Sequence, residues 1–176
     1  MSYIYETAEK AVEEHGTRNP YELLRSLGAK TMVSHSYGPG GLKGYCAIVG
    51  GLMVVMLNGH MSDCEKRIVA GHEAAHLILH RTELMGSPTR TLEDYSIYSS
   101  SAGRMEREAN SFLADFLLSD QVVVEAISDL AGDYFACASE LEVPPEVLSF
   151  KLDSMRNRGF DVCDPVGLNS GFLGDG

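Results

Sequence analysis

Three histidines and a glutamate lie in an otherwise apolar stretch, GHEAAHLILH, at residues 71 to 80. His72 and His76 are four residues apart, so on a helix both imidazoles lie on one face and can point at a single ion. The helical period turns Glu73 by about 100° from His72, where it can act on a water molecule without being a ligand. This arrangement is the HExxH motif of zinc hydrolases. We therefore predict Zn²⁺ bound by His72 and His76, with Glu73 as the catalytic base.

The helix that carries this motif is predicted to be buried. Apart from His72, Glu73 and His76, residues 68 to 79 are all apolar or glycine, and a helix that is apolar nearly all round lies inside a protein. Burying titratable groups without partners costs roughly 1 to 3 kcal/mol each. A bound metal ion would satisfy these groups, which supports the prediction of a metal site.

A catalytic zinc ion needs a third protein ligand as well as an open position for water. The downstream segment RMEREANSFLADFLL offers two carboxylates, Glu106 and Glu108. Glu106 shares a helix face with Asn110, which could hydrogen-bond a ligand histidine from outside the first coordination sphere. Glu108 lies about 200° away around the helix, and its simplest interpretation is a solvated charge. We therefore prefer Glu106 to Glu108 as the third ligand.

His80 extends the histidine series by one more turn, but it lies about 12 Å from His72 along the helix axis, too far to share its ion easily. We interpret His80 either as a C-terminal residue that suits the helix dipole, or as a hydrogen-bonding neighbour of the site. Tyr95 and Tyr98 are candidates for stabilising an oxyanion, with ordinary surface aromatics as the alternative interpretation. The other histidines have no metal-ligand spacing and are expected on the surface or in loops: His15, His35 and His60.

The elements that position these residues can be predicted from capping signals and hydrophobic period. We expect helices over 3–15 and 20–27, a strand over 30–35, a hairpin of 45–49 and 52–57 joined by Gly50 and Gly51, and the motif helix from Ser62 to about Arg81. Residues 82–103 are predicted to be a loop. A helix follows over 104–118, and two or three more fill 120–158.

These elements predict an α+β fold. The sheet is expected to be small and antiparallel and to pack on the HExxH helix, with additional helices toward the C-terminus. We predict a single domain over residues 1–158, whose C-terminal helical part is about 120–158, and a flexible tail over 159–176.

Composition narrows the function further. A formal net charge of -11 disfavours binding to a phosphate backbone, which relies on clustered Lys and Arg. The N-terminus resembles no secretory signal and no apolar run is long enough to cross a membrane, so we expect a cytoplasmic protein without membrane contact. The cysteines form no CxxC pair and are expected to be reduced thiols: Cys46, Cys64, Cys137 and Cys163.

The segment RIVAGHEAAHLILH followed by EREANSFLADFLL resembles the HExxH and ExxAN helices of the ImmA/IrrE-type metallopeptidases. NPYELLRSLGA, the hairpin at 44–58 and ASELEVPPEVLSFKLDSM are similar to neighbouring parts of that family. The chain departs from the usual family pattern in two places, since Ala75 replaces Gly and Ser119-Asp120 replaces Met-Pro. Neither difference removes a candidate ligand or the base.

The resemblance implies a minimal zincin-like fold and a zinc-dependent regulatory peptidase. Its implied partner is a helix-turn-helix repressor or antitoxin of a phage or mobile element, and the oligomeric state is left open. An extended substrate could pair with an exposed strand edge, for which we consider residues 52–57.

Two alternatives remain from the sequence. One is a metal-stabilised protein that regulates a repressor or antitoxin by contact without hydrolysis. The other is a helix-turn-helix DNA module at 120–158, which is opposed by eight acidic and three basic residues in that segment.

Overall fold

The computed structural model describes residues 3–86, 90–91 and 103–162. Within these residues the chain forms eight helices and a small sheet, as the α+β prediction requires. The helices are α1 Tyr3–His15, α2 Pro20–Ser26, α3 Asp63–Leu79, α4 Arg81–Gly86, α5 Arg104–Leu117, α6 Asp120–Asp129, α7 Tyr134–Glu140 and α8 Pro145–Asn157. The strands are β1 Lys30–Ser34, β2 Gly44–Val49, β3 Leu52–Asn58 and the two-residue β4 Arg90–Thr91.

The sheet has the strand order β1-β3-β2-β4. The hairpin of β2 and β3 is antiparallel, and its turn residues Gly50 and Gly51 have φ of 57° and 84°. Both values suit a type I′ turn, which confirms the predicted hairpin. β1 pairs with β3 in parallel, so the sheet is mixed rather than wholly antiparallel.

The prediction that residues 52–57 form an exposed edge is wrong. β3 is a central strand, hydrogen-bonded to β1 on one side and to β2 on the other. The reason is a non-local pairing: the chain leaves β1, returns in the hairpin and places β3 beside β1. No local sequence pattern specifies which strand becomes central.

The helix α3, which contains the HExxH motif, begins with a complete capping box. The Ser62 side chain accepts from the Glu65 backbone, and the Glu65 carboxylate accepts from the Ser62 backbone. Every residue from Ile68 to Leu77 is buried, as predicted from the apolar composition. The helix packs against β2, β3, α2 and α5.

The α3 helix ends at Leu79, two residues before the expected end, and His80 is its C-cap with φ of -120°. The strand β4 and all of the short helix α4 except Arg81 fall in the segment that we predicted as a loop, and that prediction is wrong for these residues. A six-residue helix is too short to show a hydrophobic period. The remainder of the 82–103 segment and residues 163–176 of the predicted tail lie outside the described part of the chain.

Close approach of α3 and α5 depends on Gly71. A Cβ atom at this position would lie 2.5 Å from Cδ1 of Leu113 on α5. Leu113 is fully buried, so a side chain at residue 71 would push the two helices apart. The absence of that side chain lets the functional groups of α5 reach those of α3.

Helices from the two ends of the described chain meet in a buried ionic network. Lys151 of α8 is 0% exposed and contacts Asp115 at 2.9 Å and Asp120 at 2.7 Å. Arg158 binds Asp120 with two bonds of 2.6 Å, and its guanidinium lies 3.6 Å from the ring centroid of Tyr5. The network therefore connects α1, α5, α6 and α8. None of the described helices is long and apolar enough to cross a membrane.

Candidate metal centre

Three potential ligand atoms converge where α3 meets α5. The Nε2 atoms of His72 and His76 are 3.1 Å apart, and Oε2 of Glu106 lies 3.1 Å from the first and 3.4 Å from the second. His72 and His76 are buried, and 17% of the Glu106 side chain is exposed. The structure thus brings together the three residues that we predicted as ligands.

The spacing of these atoms fits one tetrahedral metal ion. Ligand atoms that are about 2.0 Å from a zinc ion are separated by about 3.3 Å when the coordination is tetrahedral. The observed separations are 3.1 to 3.4 Å. Electron-rich nitrogen and oxygen atoms at such distances repel one another unless protons or a cation lie between them, so this donor set suits a divalent metal.

The contact between His72 and Asn110 leaves the other His72 nitrogen available to the metal. Nδ1 of His72 lies 2.8 Å from Oδ1 of Asn110, in a fully buried position. Because an amide oxygen only accepts, Nδ1 carries the proton and donates it. Nε2, which faces His76 and Glu106, can then use its lone pair for a metal ion. Asn110 takes the position that we predicted for it, beside a ligand histidine.

Glu73 has the geometry of a residue that serves the centre without binding the ion. Both carboxylate oxygens are buried, and neither meets the geometry of a hydrogen bond with a described residue, although the thiol and backbone of Cys46 lie near enough to lower the pKa of the group. Burial raises the pKa of Glu73 to about 7, although the neighbouring His72 opposes the shift. Buried polar atoms normally have partners, so the two oxygens fit a site where a water molecule and a substrate bind.

Cys46 of β2 is a neighbour of Glu73 that the sequence did not identify. Burial raises the pKa of its thiol, and the nearby Glu73 carboxylate raises it further. Only the antiparallel hairpin and its packing on α3 bring the two residues together, and nothing in the spacing of 46 and 73 indicates it.

The protonation of the site follows from burial and mutual contact. Burial lowers the pKa of His76 to about 4, against the effect of its contact with the Glu106 carboxylate. Burial acts to raise the pKa of Glu106, but the contacts with the His72 and His76 imidazoles outweigh it and hold the pKa well below its usual range. Neutral imidazoles and an ionised carboxylate are the forms that bind metals.

His80 and Glu108 extend the site on the side of His76. Nδ1 of His80 lies 2.9 Å from Nδ1 of His76, and Nε2 of His80 lies 3.1 Å from Oε2 of Glu108. His80 is therefore both the C-cap of the α3 helix and a hydrogen-bonding neighbour of a candidate ligand, which combines our two interpretations. The interpretation of Glu108 as a solvated charge is wrong, since it is paired with His80 and with Arg104.

The remaining candidates lie elsewhere or outside the described residues. Tyr95 and Tyr98 lie outside them, so their role stays a prediction. His15 ends α1 and bonds Ser26, while His35 and His60 are exposed and contact each other.

An α+β fold with a small sheet packed on an HExxH helix, and two histidines and a glutamate converging at one point, defines the minimal zincin-like class. The profile of the Peptidase M78 family, described as the IrrE N-terminal-like domain, matches residues 25–153. The chain belongs to this metallopeptidase family, as the resemblance to ImmA/IrrE-type proteins predicted. A comparison with curated proteins finds no significant match.

Proposed function

We propose that this protein is a zinc-dependent metalloendopeptidase that cleaves a regulatory protein. One observation carries the proposal: the buried, unpartnered carboxylate of Glu73 lies next to three converging ligand atoms on the same pair of helices. A purely structural zinc site is closed by four protein ligands and needs no such carboxylate. Among the described residues, the ligand cluster comprises His72, His76 and Glu106, which leaves a fourth position for water or substrate.

The residues of the site have separate roles in hydrolysis. His72, His76 and Glu106 would hold the zinc ion, which supplies Lewis-acid polarisation of a peptide carbonyl and increases the acidity of water. Glu73 takes the proton of the attacking water on a carboxylate oxygen and returns it to the leaving amine nitrogen. Asn110 keeps the His72 ring in the orientation that binds the ion.

For the substrate we propose a helix-turn-helix repressor or antitoxin of a phage or mobile element. The support is the family relationship together with the acidity of the chain, since a net charge of -11 favours contact with a basic DNA-binding protein over contact with DNA itself.

The test is a pair of measurements on the same variants. Metal content, determined by elemental analysis that includes zinc, iron and manganese, should give about one zinc per chain in the wild type. Glu106→Gln should lose the metal, whereas Glu125→Gln should keep it, because Glu125 is exposed and bonds Gln121 on α6. Cleavage of a repressor encoded beside the gene is then followed by mass spectrometry.

Glu73→Gln separates the peptidase from a protein that regulates by contact. A peptidase with this substitution keeps its zinc and its substrate binding but loses cleavage. If Glu73→Gln still relieves repression as well as the wild type does, the hydrolytic function is wrong and the contact mechanism replaces it.

A further inference from the structure

Hydrogen bonds connect His76 to a carboxylate two side chains away. The order is His76, His80, Glu108 and Arg104, with separations of 2.9, 3.1 and 2.7 Å between the bonding atoms. His76 and His80 are almost fully buried, and the Glu108 side chain is 25% exposed. The chain of contacts therefore runs from the metal centre to the surface.

Only one arrangement of protons satisfies these contacts when both imidazoles are neutral. Nε2 of His76 faces the other two ligand atoms, so it must keep its lone pair to bind a metal, and the ring proton lies on Nδ1. Nδ1 of His80 must then accept that proton, because two N–H groups cannot face each other at 2.9 Å. The proton of His80 consequently lies on Nε2, where Glu108 accepts it.

We propose that Glu108 is a positioning residue that fixes His76 in its metal-binding tautomer by acting through His80. The role rests on the proposed zinc site. A carboxylate is suited to this role because it accepts from Nε2 of His80 and has no proton to donate. It therefore cannot reverse the direction of the hydrogen bonds from His76 through His80 to Glu108. Arg104 donates to the other oxygen of Glu108 and holds the carboxylate in place.

The arrangement gives α5 two orienting groups as well as a ligand. Asn110 orients His72 directly, and Glu108 orients His76 through His80, while Glu106 would bind the ion. Each ligand histidine thus has its own partner outside the coordination sphere. Removing such partners typically weakens metal binding by about 10- to 100-fold.

The first test measures zinc affinity by competition with a chromophoric chelator. Glu108→Ala should bind zinc about 10- to 100-fold more weakly than the wild type. Glu108→Gln should bind zinc no more weakly than Glu108→Ala, because its amide oxygen can still accept from His80 although its NH2 group can also donate. Glu125→Ala, which removes a surface glutamate in a comparable hydrogen bond on α6, serves as the control and should bind like the wild type.

The second test observes the histidine tautomers in the zinc-loaded wild type by long-range ¹H–¹⁵N NMR. The proton of His80 should lie on Nε2. In Glu108→Ala, which loses the acceptor, the ¹⁵N shifts of His80 should move. If Glu108 only contributed to packing, it would give no reason for the His80 proton of the wild type to lie on Nε2.

The outcomes are separable from those of the proposed function. A wild type that binds no zinc overturns the zinc site and the role of Glu108 together. Zinc binding by the wild type with equal affinity in Glu108→Ala overturns only the role of Glu108. The same holds if the His80 proton lies on Nδ1 in the zinc-loaded wild type.

Discussion

At the scale of single residues, the Glu73 carboxyl combines full burial with the absence of a partner among the described residues. Burial raises its pKa from 4.5 to about 7. In metal-free protein, the Glu73 carboxyl of the unfolded chain ionises in mildly acid solution. In the folded chain the same carboxyl stays protonated to higher pH. The same feature that makes Glu73 suitable as a base therefore reduces the stability of the metal-free protein.

Glu73→Gln should stabilise the metal-free protein by an amount that depends on pH. Because the folded-state pKa lies above the unfolded one, the wild type loses stability as pH rises from about 4.5 through about 7, by roughly 3 kcal/mol. Glutamine does not titrate, so its advantage should be larger at pH 8 than at pH 5. Urea unfolding with a chelator at both pH values measures this, and a difference independent of pH would contradict the assignment.

The thiols should differ in reactivity. Cys46 is buried and the pKa of its thiol is raised by burial and by Glu73, while Cys64 is exposed. Because the thiolate is the reactive form, iodoacetamide at pH 8 should modify Cys64 in the folded protein and Cys46 only after denaturant is added. Peptide mass mapping over time distinguishes the sites. Equal rates at both cysteines in native protein would show that Cys46 is accessible.

At the scale of elements, the pair formed by α3 and α5 determines the metal centre. α3 provides two ligands and the base, and α5 provides the third ligand and both orienting groups. The distance between these helices therefore sets the separation of the ligand atoms, and Gly71 is the point of closest packing that we identified between them.

Gly71→Ala should lower both stability and zinc affinity. The new Cβ would lie 2.5 Å from Cδ1 of the buried Leu113, and overpacking of this kind costs about 1 to 3 kcal/mol. The better helix propensity of alanine returns up to about 1 kcal/mol, so we expect a small net loss of stability, with a displaced Glu106. Gly40→Ala is the control, because a Cβ there meets nothing within 4 Å. Thermal unfolding and chelator competition test both effects, and unchanged zinc affinity in Gly71→Ala would refute the link between helix packing and the site.

The sequence predicted those elements that local signals define. The helix start at Ser62 and the two glycines of the hairpin appear where expected. The central place of β3 was missed because it depends on pairing between distant segments. The helix α4 was missed because it is too short to show a hydrophobic period.

In the metal centre, too, features within one helix could be predicted, whereas features that depend on packing between helices could not. The i, i+4 spacing within α3 and the shared face of Glu106 and Asn110 on α5 could be read from one helix at a time. The pairing of His80 with Glu108 could not, because it arises only when α3 and α5 pack together.

At the scale of the whole molecule, the buried Lys151 is the centre of the contacts that join α8 to α5 and α6. Its ammonium group has two carboxylate neighbours, Asp115 and Asp120. Asp120 belongs to the Ser119-Asp120 pair that differs from the usual family pattern. Ser119 caps α6 and Asp120 joins the ionic network, so both residues have structural roles in this chain.

Lys151→Met should destabilise the protein strongly. Removing one partner of a buried ion pair leaves a buried charge without compensation and costs about 3 to 5 kcal/mol. Lys10→Met is the matched control, since Lys10 is 70% exposed and its pair with Glu14 contributes less than about 1 kcal/mol. Denaturant unfolding of both variants gives the comparison, and losses of similar size would show that burial of Lys151 does not determine its contribution.

The ionic network also includes residues that lie outside the segment matched by the family profile. The family profile ends at residue 153 and begins at residue 25, yet Tyr5 and Arg18 lie before that segment and Ser154 and Arg158 lie after it. Arg18 donates to the last carbonyls of α5, and Ser154 donates to Asp115. A fragment trimmed to the matched residues would keep every candidate ligand but lose these contacts of α5, so we expect it to be less stable than a fragment that extends from α1 through Arg158.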